Sequence, residues 1–365
     1  MANKAKYEIK NQSIPEPEEG VRYRTLAEVA RTLEVDASTV SLVLSGSDRV
    51  NKFTRDRVMA FCERVNYRPN PLARALSRGR SNLWGVLFPD IVSSFFPAIL
   101  EGIETVANEQ ECTSFLALSR YDPEQMAAQI IAMESRYVDG ILLVPTGQPG
   151  EKKILAPLLK ETAFVPLVQP LAGDSLRTCV HVDDEYGLWL GTNHLISLGH
   201  RRIALIGGLG ETDACNRRRN GWVRALTEHG IHPSKRLLQG DHFGRECGYD
   251  SMLKLLKTSP PPTALIAVSD YAALGAMEAI LEVGLRPGED IAVVGFDNIC
   301  CAHYSPVPLT TISQPKEELG EAAARALVER IAGRRPRLPT LLPQLVIRRS
   351  CGAYKVSSEE AARNN

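Results

Sequence analysis

Gly207-Gly208-Leu209-Gly210 follows an apolar strand-like run and precedes a helical pattern, where a dinucleotide phosphate would be cradled. The pattern fails in detail. With Gly208 and Gly210 as the first two glycines, the third position is Asp213, and neither GKT/GKS nor GxSxG occurs. The eight cysteines form no CxxC pair, and the seven histidines form no HExxH or HxH. Neither a metal site nor a cofactor is expected from such spacing. Catalysis is therefore disfavoured, and the residues that do carry a pattern lie near the N-terminus. There, two short helical patterns meet at a tight turn, and the outward residues of the second are Ala37, Ser38, Ser41 and Leu42. That layout is a helix-turn-helix, whose second helix enters the major groove of DNA.

Charge supports the same chemistry. Residues 22–80 carry twelve Arg/Lys against six Asp/Glu, although the whole chain of 365 residues is formally neutral. A basic head on a mildly acidic body suits a head that meets a polyanion. At this length two or three domains are expected. No apolar run is long enough to span a membrane, and the first 24 residues have no apolar stretch of a secretory signal. The scattered cysteines read as reduced thiols, so a cytoplasmic protein is expected.

The elements that position these residues follow from local pattern. Thr25-Leu26-Ala27-Glu28 reads as a capping box, and Leu26, Val29, Ala30 and Leu33 give the first helix its stripe. Asp36 caps the second helix, in which Val40, Val43 and Leu44 face inward. Asn51 caps a third, with Val58, Phe61, Cys62 and Val65 inside. Asn70-Pro71 then opens a helix that Gly79 stops after about two turns. Such a helix is marginal alone, so it is ordered only when something packs on its Leu72/Leu76 edge. Residues 1–24 and 353–365 are expected to be disordered.

From residue 83 short apolar runs alternate with helical patterns. Strands are expected at 83–88, 114–118, 138–144, 164–168, 179–182, 202–207, 264–268 and 291–295. Helices are expected at 98–110, 124–136, 187–198, 216–229, 248–257, 271–284 and 316–332. This alternation predicts βαβ units and buried parallel sheets in two doubly wound lobes.

TLAEVARTLEVDASTVSLVLSG and NYRPNPLARAL resemble the DNA-binding head and hinge of the LacI–GalR family of bacterial transcriptional regulators. GVLFPDIVSSFFPAILEGIE, HLISLGHRRIALIGG, VSDYAALGAM, VVGFDN and PLTTI resemble its effector-binding core. The resemblance runs from about Thr25 to Cys351. It implies a helix-turn-helix domain at 25–69, a hinge at 70–82 and a periplasmic-binding-protein-like core at 83–352. One lobe would span 83–186 plus 311–335, the other 187–310 plus 336–352.

The implied protein is a homodimeric repressor that binds a near-palindromic double-stranded operator and a small-molecule effector, by default a carbohydrate. The tail after Tyr354 lacks leucine heptads, which leaves a dimer as the expectation. By match to the family's positions, Ala37 and Ser38 read base edges. Leu42 stands where many members carry a guanine-reading Arg. Thr39, Ser41, Asn51 and Thr54 meet phosphates, and Arg49 is a basic contact. Tyr67, Asn70 and Ala73 belong to the hinge, and Leu76 is the minor-groove wedge.

Phe95, Phe96, Asp183, Arg218, Phe243, Asp270 and Asp297 match positions that line the effector pocket. Charged groups there would hold hydroxyls while an aromatic ring covers an apolar sugar face. Asp270 also suits a helix cap. Thr212 replaces an Arg of the purine-responsive branch, which disfavours a purine. Two departures, Glu34 at a turn position that is often Gly and Leu42, motivate a rival reading. In it the chain is a solute sensor of the same core fold that has lost specific DNA binding. A stand-alone periplasmic binding protein is disfavoured by the basic head.

Overall fold

The structure, a computed structural model, describes residues 15–17, 23–68 and 80–353. The hinge residues Asn70, Ala73 and Leu76 lie outside the described residues. So do most of the N-terminal extension and the tail from Tyr354 onward. The chain divides into two units, residues 1–81 and 82–365.

In the first unit, α1 (Leu26–Thr32), α2 (Ala37–Leu44) and α3 (Lys52–Arg64) enclose Val29, Leu33, Val40, Val43, Val58 and Phe61. The capping box forms as its spacing requires, with Thr25 Oγ1 accepting from Glu28 N–H and Glu28 accepting from Thr25 N–H. Backbone N–H groups of Arg24 and Thr25 hold the Glu28 carboxyl below its usual pKa. Tyr23 is buried edge-on against Phe61, with ring centroids 5.3 Å apart. The head therefore includes Tyr23, which corrects the expected boundary at Thr25: a ring beside α3 gains more from burial than from solvent.

All three head helices end in the same way. Val35 N–H bonds to Ala30 C=O and Glu34 N–H to Arg31 C=O, the paired closure of a Schellman turn. The equivalent pairs after α2 and α3 put Gly46 and Asn66 at the left-handed position. Glu34 occupies that position after α1 with φ of 50°. Gly and Asn tolerate this conformation, whereas Glu carries a Cβ penalty of about 1 kcal/mol. Glu34→Gly is thus expected to raise the opening free energy of α1 and α2 by up to about 1 kcal/mol, read as slower amide hydrogen exchange in the full-length protein. Unchanged or faster exchange would contradict a strained turn.

In the second unit, β1 (Leu83–Phe88), β2 (Thr113–Leu118), β3 (Gly140–Leu143) and β4 (Phe164–Pro166) form an all-parallel sheet of order β2-β1-β3-β4. A second sheet has the order β12-β10-β9-β8-β6-β7. Its strands are β6 (Ile203–Ile206), β7 (Leu238–Gln239), β8 (Ala264–Ala267), β9 (Ala292–Asp297), β10 (Thr310–Ser313) and β12 (Gln344–Val346). Only β12 runs antiparallel. Strands such as ILL, IALI and ALIA are apolar on both faces because helices cover both. A two-residue pair, β5 (His181–Val182) with β11 (Thr340–Leu341), lies outside both sheets.

Between residues 98 and 332 every expected helix window holds a helix, but those expected from 98, 187, 216 and 248 begin at Phe95, Asp184, Asp213 and Arg245. Apolar periodicity cannot register the polar first turns at Asp184, Asp213 and Arg245, whereas the turn at Phe95 is apolar and buried. Asp183 and Thr212 cap two of these turns, accepting from Tyr186 N–H and Cys215 N–H. Two lobe boundaries shift. The helix Asp184–Ser197 packs on Asp213–Glu228, so the crossing falls before residue 184 rather than at 186. β10 pairs with β9, so Thr310–Ser313 belongs to the second sheet and not to the first lobe. The helix Lys316–Ile331 then returns to pack on Phe95–Glu109 beside the first sheet. Among the described residues no helix is long and apolar enough to cross a membrane.

Candidate functional site

Two faces carry the residues singled out by the sequence. In the head, α2 exposes Ala37, Ser38 and Ser41, while Thr39 and Leu42 are half-buried. Leu42 packs partly against the head core, so its outward reach is less than its helical position implied. Arg49 and Asn51 are exposed. Asn51 Oδ1 accepts from Thr54 N–H at 2.8 Å, which caps α3 and leaves the Asn51 amide N–H groups available. Thr54 and Tyr67 are buried, Thr54 in the capped first turn of α3.

In the second unit a cavity of about 730 Å³ lies between the two sheets. Phe95, Phe96, Arg218, Phe243 and Asp297 all line it, together with Tyr121, Gln169 and Tyr271. Phe95 and Phe96 also belong to the core, packed edge-to-face with centroids 5.1 Å apart. Thr212 lines the same cavity. Two hydrogen bonds cross the mouth of the cleft: Tyr271 OH to Val92 C=O at 3.3 Å, and Cys300 N–H to Ser94 Oγ at 3.1 Å.

Arg218 is the centre of the site. Its Nε donates to Asp184 at 2.7 Å, its Nη1 donates to Val268 C=O, and Asp297 Oδ1 lies 3.9 Å from Nη1. The guanidinium stacks on Phe296, 3.9 Å from the ring centroid, and stands 5.5 Å from that of Phe243. Burial works against its charge, yet Asp184 and Asp297 hold it above its usual pKa. Of its neighbours, Arg217 turns to Asp184 and Asp213, and Arg219 to Gly208 C=O and Asn216. Close helix packing makes this cluster possible: a Cβ on Gly221 would sit 2.1 Å from Glu185 C=O.

Asp183 and Asp270 do not line the cavity. Asp183 is spent as a helix cap, and the adjacent Asp184 is the carboxylate turned toward Arg218. Asp270 is fully buried, accepting from Ile299 N–H at 2.8 Å and from Thr311 Oγ1. It braces the loop behind Asp297 rather than capping its own helix, whose cap is Ser269. Burial, then the Asp297 charge, pushes Asp270 up to about 8. Burial likewise raises Asp297 to about 6, against the pull of Arg218. Asp297 has φ of 112°, a strained backbone of the kind kept at ligand sites. Gln314 Nε2 and Lys316 Nζ hold its side chain and carbonyl at 2.7 and 2.8 Å.

Sequence reasoning missed Asp184, Tyr121 and Gln169. Tyr121 OH donates to Asp90 at 2.6 Å, and Gln169 Nε2 donates to Pro145 C=O at 2.6 Å, leaving Gln169 Oε1 buried without a partner among the described residues. The glycines at 207–210 serve packing: a Cβ on Gly208 would meet Leu205 at 2.5 Å, and one on Gly210 would meet Asp241 C=O at 2.5 Å.

The model of bacterial regulatory proteins, lacI family, matches residues 25–70, and that of the periplasmic binding protein-like domain matches 192–351. The chain is 33% identical to the HTH-type transcriptional repressor CytR of Escherichia coli (strain K12), over 85% of this chain and 90% of that one. It is 33% identical to the HTH-type transcriptional repressor PurR of Klebsiella pneumoniae (strain 342), over 89% and 96%. In structure it is similar to the lac repressor dimer bound to operator and the anti-inducer ONPF, with TM-score 0.81, 27% identity and 90% and 99% of the two chains covered. The complex of the transcriptional regulator CelR with cellobiose superposes with TM-score 0.68 at 29% identity, over 90% and 100%.

Proposed function

The chain belongs to the LacI family of bacterial regulatory proteins, and on that premise we propose how its two faces divide the work of a transcriptional repressor. A homodimer sets two heads on a near-palindromic operator. Ala37 and Ser38 on α2 read base edges. Thr39, Ser41, Arg49 and Asn51 fix register on the phosphates, with the hinge at Asn70, Ala73 and Leu76 entering the minor groove. The core binds a hydroxyl-rich effector, a sugar or sugar derivative.

One observation carries the effector reading: a buried guanidinium and a strained carboxylate, Arg218 and Asp297, face a cleft walled by aromatic rings. Paired hydroxyls suit the charged edge and the ring face of a sugar suits Phe95 and Phe243. Cellobiose in the CelR complex supports a sugar by analogy. Gln169 Oε1, an acceptor with no partner among the described residues, supports a ligand that donates a hydrogen bond there.

Effector binding adds contacts on both sides of the cleft, beside the bonds at Val92 and Ser94, and so biases the relation of the two lobes. That bias changes the stability of the marginal hinge and with it operator affinity. By linkage, operator must change effector affinity by the same factor. The test is a panel of sugars, sugar phosphates and nucleosides scored by thermal shift of the full-length protein. A polyhydroxylated compound is expected to stabilise it, and the Asp297→Asn variant to lose that shift. Stabilisation by none of the sugars or sugar phosphates, or by nucleosides alone, would overturn the reading.

A pH dependence follows from Asp297. Its carboxylate accepts charge-assisted bonds from the effector when ionised, and burial raises it to about 6. Effector affinity is therefore full above that value and falls below it, by at most about tenfold per unit. Calorimetric titrations between about pH 8 and pH 5 span the expected transition. An affinity unchanged across that window would contradict an ionised Asp297 as the acceptor.

A further inference from the structure

The loop between β7 and the helix Arg245–Leu256 gathers three groups that chain spacing alone did not flag. Asp241, His242 and Cys247 each place one ligating atom within 4.8 Å of the other two. Asp241 and His242 are exposed and line the effector cleft, while Cys247 is buried beneath them.

The loop is built tightly enough to hold them. Gly240 turns the chain with φ of 75°, and a Cβ there would lie 2.5 Å from Cys247 Sγ. Gly244 N–H donates to His242 Nδ1 at 3.1 Å and orients the ring. The thiol's own contact is Ser251 Oγ at 4.0 Å, too long to satisfy it strongly.

We propose that Asp241, His242 and Cys247 bind one divalent cation of the zinc class on the wall of the effector cleft. A thiolate, an imidazole and a carboxylate together select a borderline or soft metal over Mg²⁺ or Ca²⁺. Three protein ligands leave a fourth position, which opens to the cleft because Asp241 and His242 line it. On binding, the Cys247 S–H proton is released to solvent and a metal–sulfur bond forms, so apparent affinity rises with pH. The Gly244 N–H bond occupies His242 Nδ1, so ligation through Nε2 keeps that bond and ligation through Nδ1 replaces it. The regulator thereby gains a second ligand that does not depend on Arg218 or Asp297.

The test uses reduced full-length protein. Zn²⁺ is partitioned against a chromophoric chelator, and Co²⁺ serves as the spectroscopic probe. One ion per chain is expected, with a cobalt–thiolate charge-transfer band. Cys247→Ser removes the band. Both Cys247→Ser and His242→Gln, the latter at an exposed position, weaken Zn²⁺ by more than the roughly 10–100-fold cost of losing an outer-shell partner. Replacing the exposed neighbours Cys300 and Cys301 by Ser leaves binding intact. The proposal is overturned by failure to withdraw Zn²⁺ from the chelator, or by a spectrum without the thiolate band. A band that survives Cys247→Ser and is lost with Cys300 and Cys301 overturns it equally.

Discussion

The full-length Arg218→Met variant is expected to lose its effector response and to have a second lobe weakened by about 3–5 kcal/mol. The size follows from what Arg218 leaves behind. Its side chain is 4% exposed, and it holds Asp184, the Val268 carbonyl and, at longer range, Asp297. Methionine fills much of the volume but answers none of those acceptors, so Asp184 is left buried with Arg217 alone. Breaking one side of a buried pair costs far more than replacing both sides. The double variant Arg218→Met with Asp184→Asn should therefore recover part of the lost stability and none of the response. Chemical unfolding and ligand-induced thermal shift measure the two effects separately. Normal effector response in the single variant would remove Arg218 from the site.

The second large effect lies in the head. Ser41 is exposed on α2, one turn from Ser38, on the face assigned to the operator. Ser41→Glu sets a carboxylate against phosphates and is expected to weaken operator binding by about a hundredfold at moderate salt. Ser41→Ala loses at most one phosphate hydrogen bond, about tenfold or less. Effector affinity measured without DNA should stay unchanged in both, because the head and the cleft belong to separate units. Anisotropy titrations with operator and calorimetry with effector measure these outcomes. Wild-type operator affinity in Ser41→Glu would mean that α2 does not face the phosphates.

How far the sequence was legible depended on whether local rules decided the outcome. The capping box of Thr25 and Glu28 and the helix of Lys52–Arg64 behind Asn51 are set within one turn of chain, and both formed. Strands such as β6 and β8 are uniformly apolar and were legible for that reason. β10 was not, because TTIS reads as polar. Its buried Thr311 hydroxyl is nevertheless bonded to Asp270, and Thr310 Oγ1 accepts from Arg348 N–H. The choice between Asp183 and Asp184 is similarly non-local. Both lie at one helix start, and the partner that turns Asp184 inward is Arg218, in another helix. Asp270 matched a pocket position by resemblance, but Ile299 and Thr311 draw its carboxylate behind the wall. The trio of Asp241, His242 and Cys247 depends on the turn at Gly240, and a D-H-x4-C spacing carries no helical or zinc-finger signature.

The Arg218 cluster and the α2 face meet in one claim: a small molecule in the cleft changes how tightly the head holds a specific operator. Footprinting of full-length protein on its own upstream promoter DNA, with and without a panel of sugars, tests it most directly. The account predicts a protected near-palindrome whose occupancy one polyhydroxylated compound changes, and an Arg218→Met variant that keeps the footprint but ignores the compound. A footprint that no compound alters, from protein whose cleft binds the same compound, would contradict it.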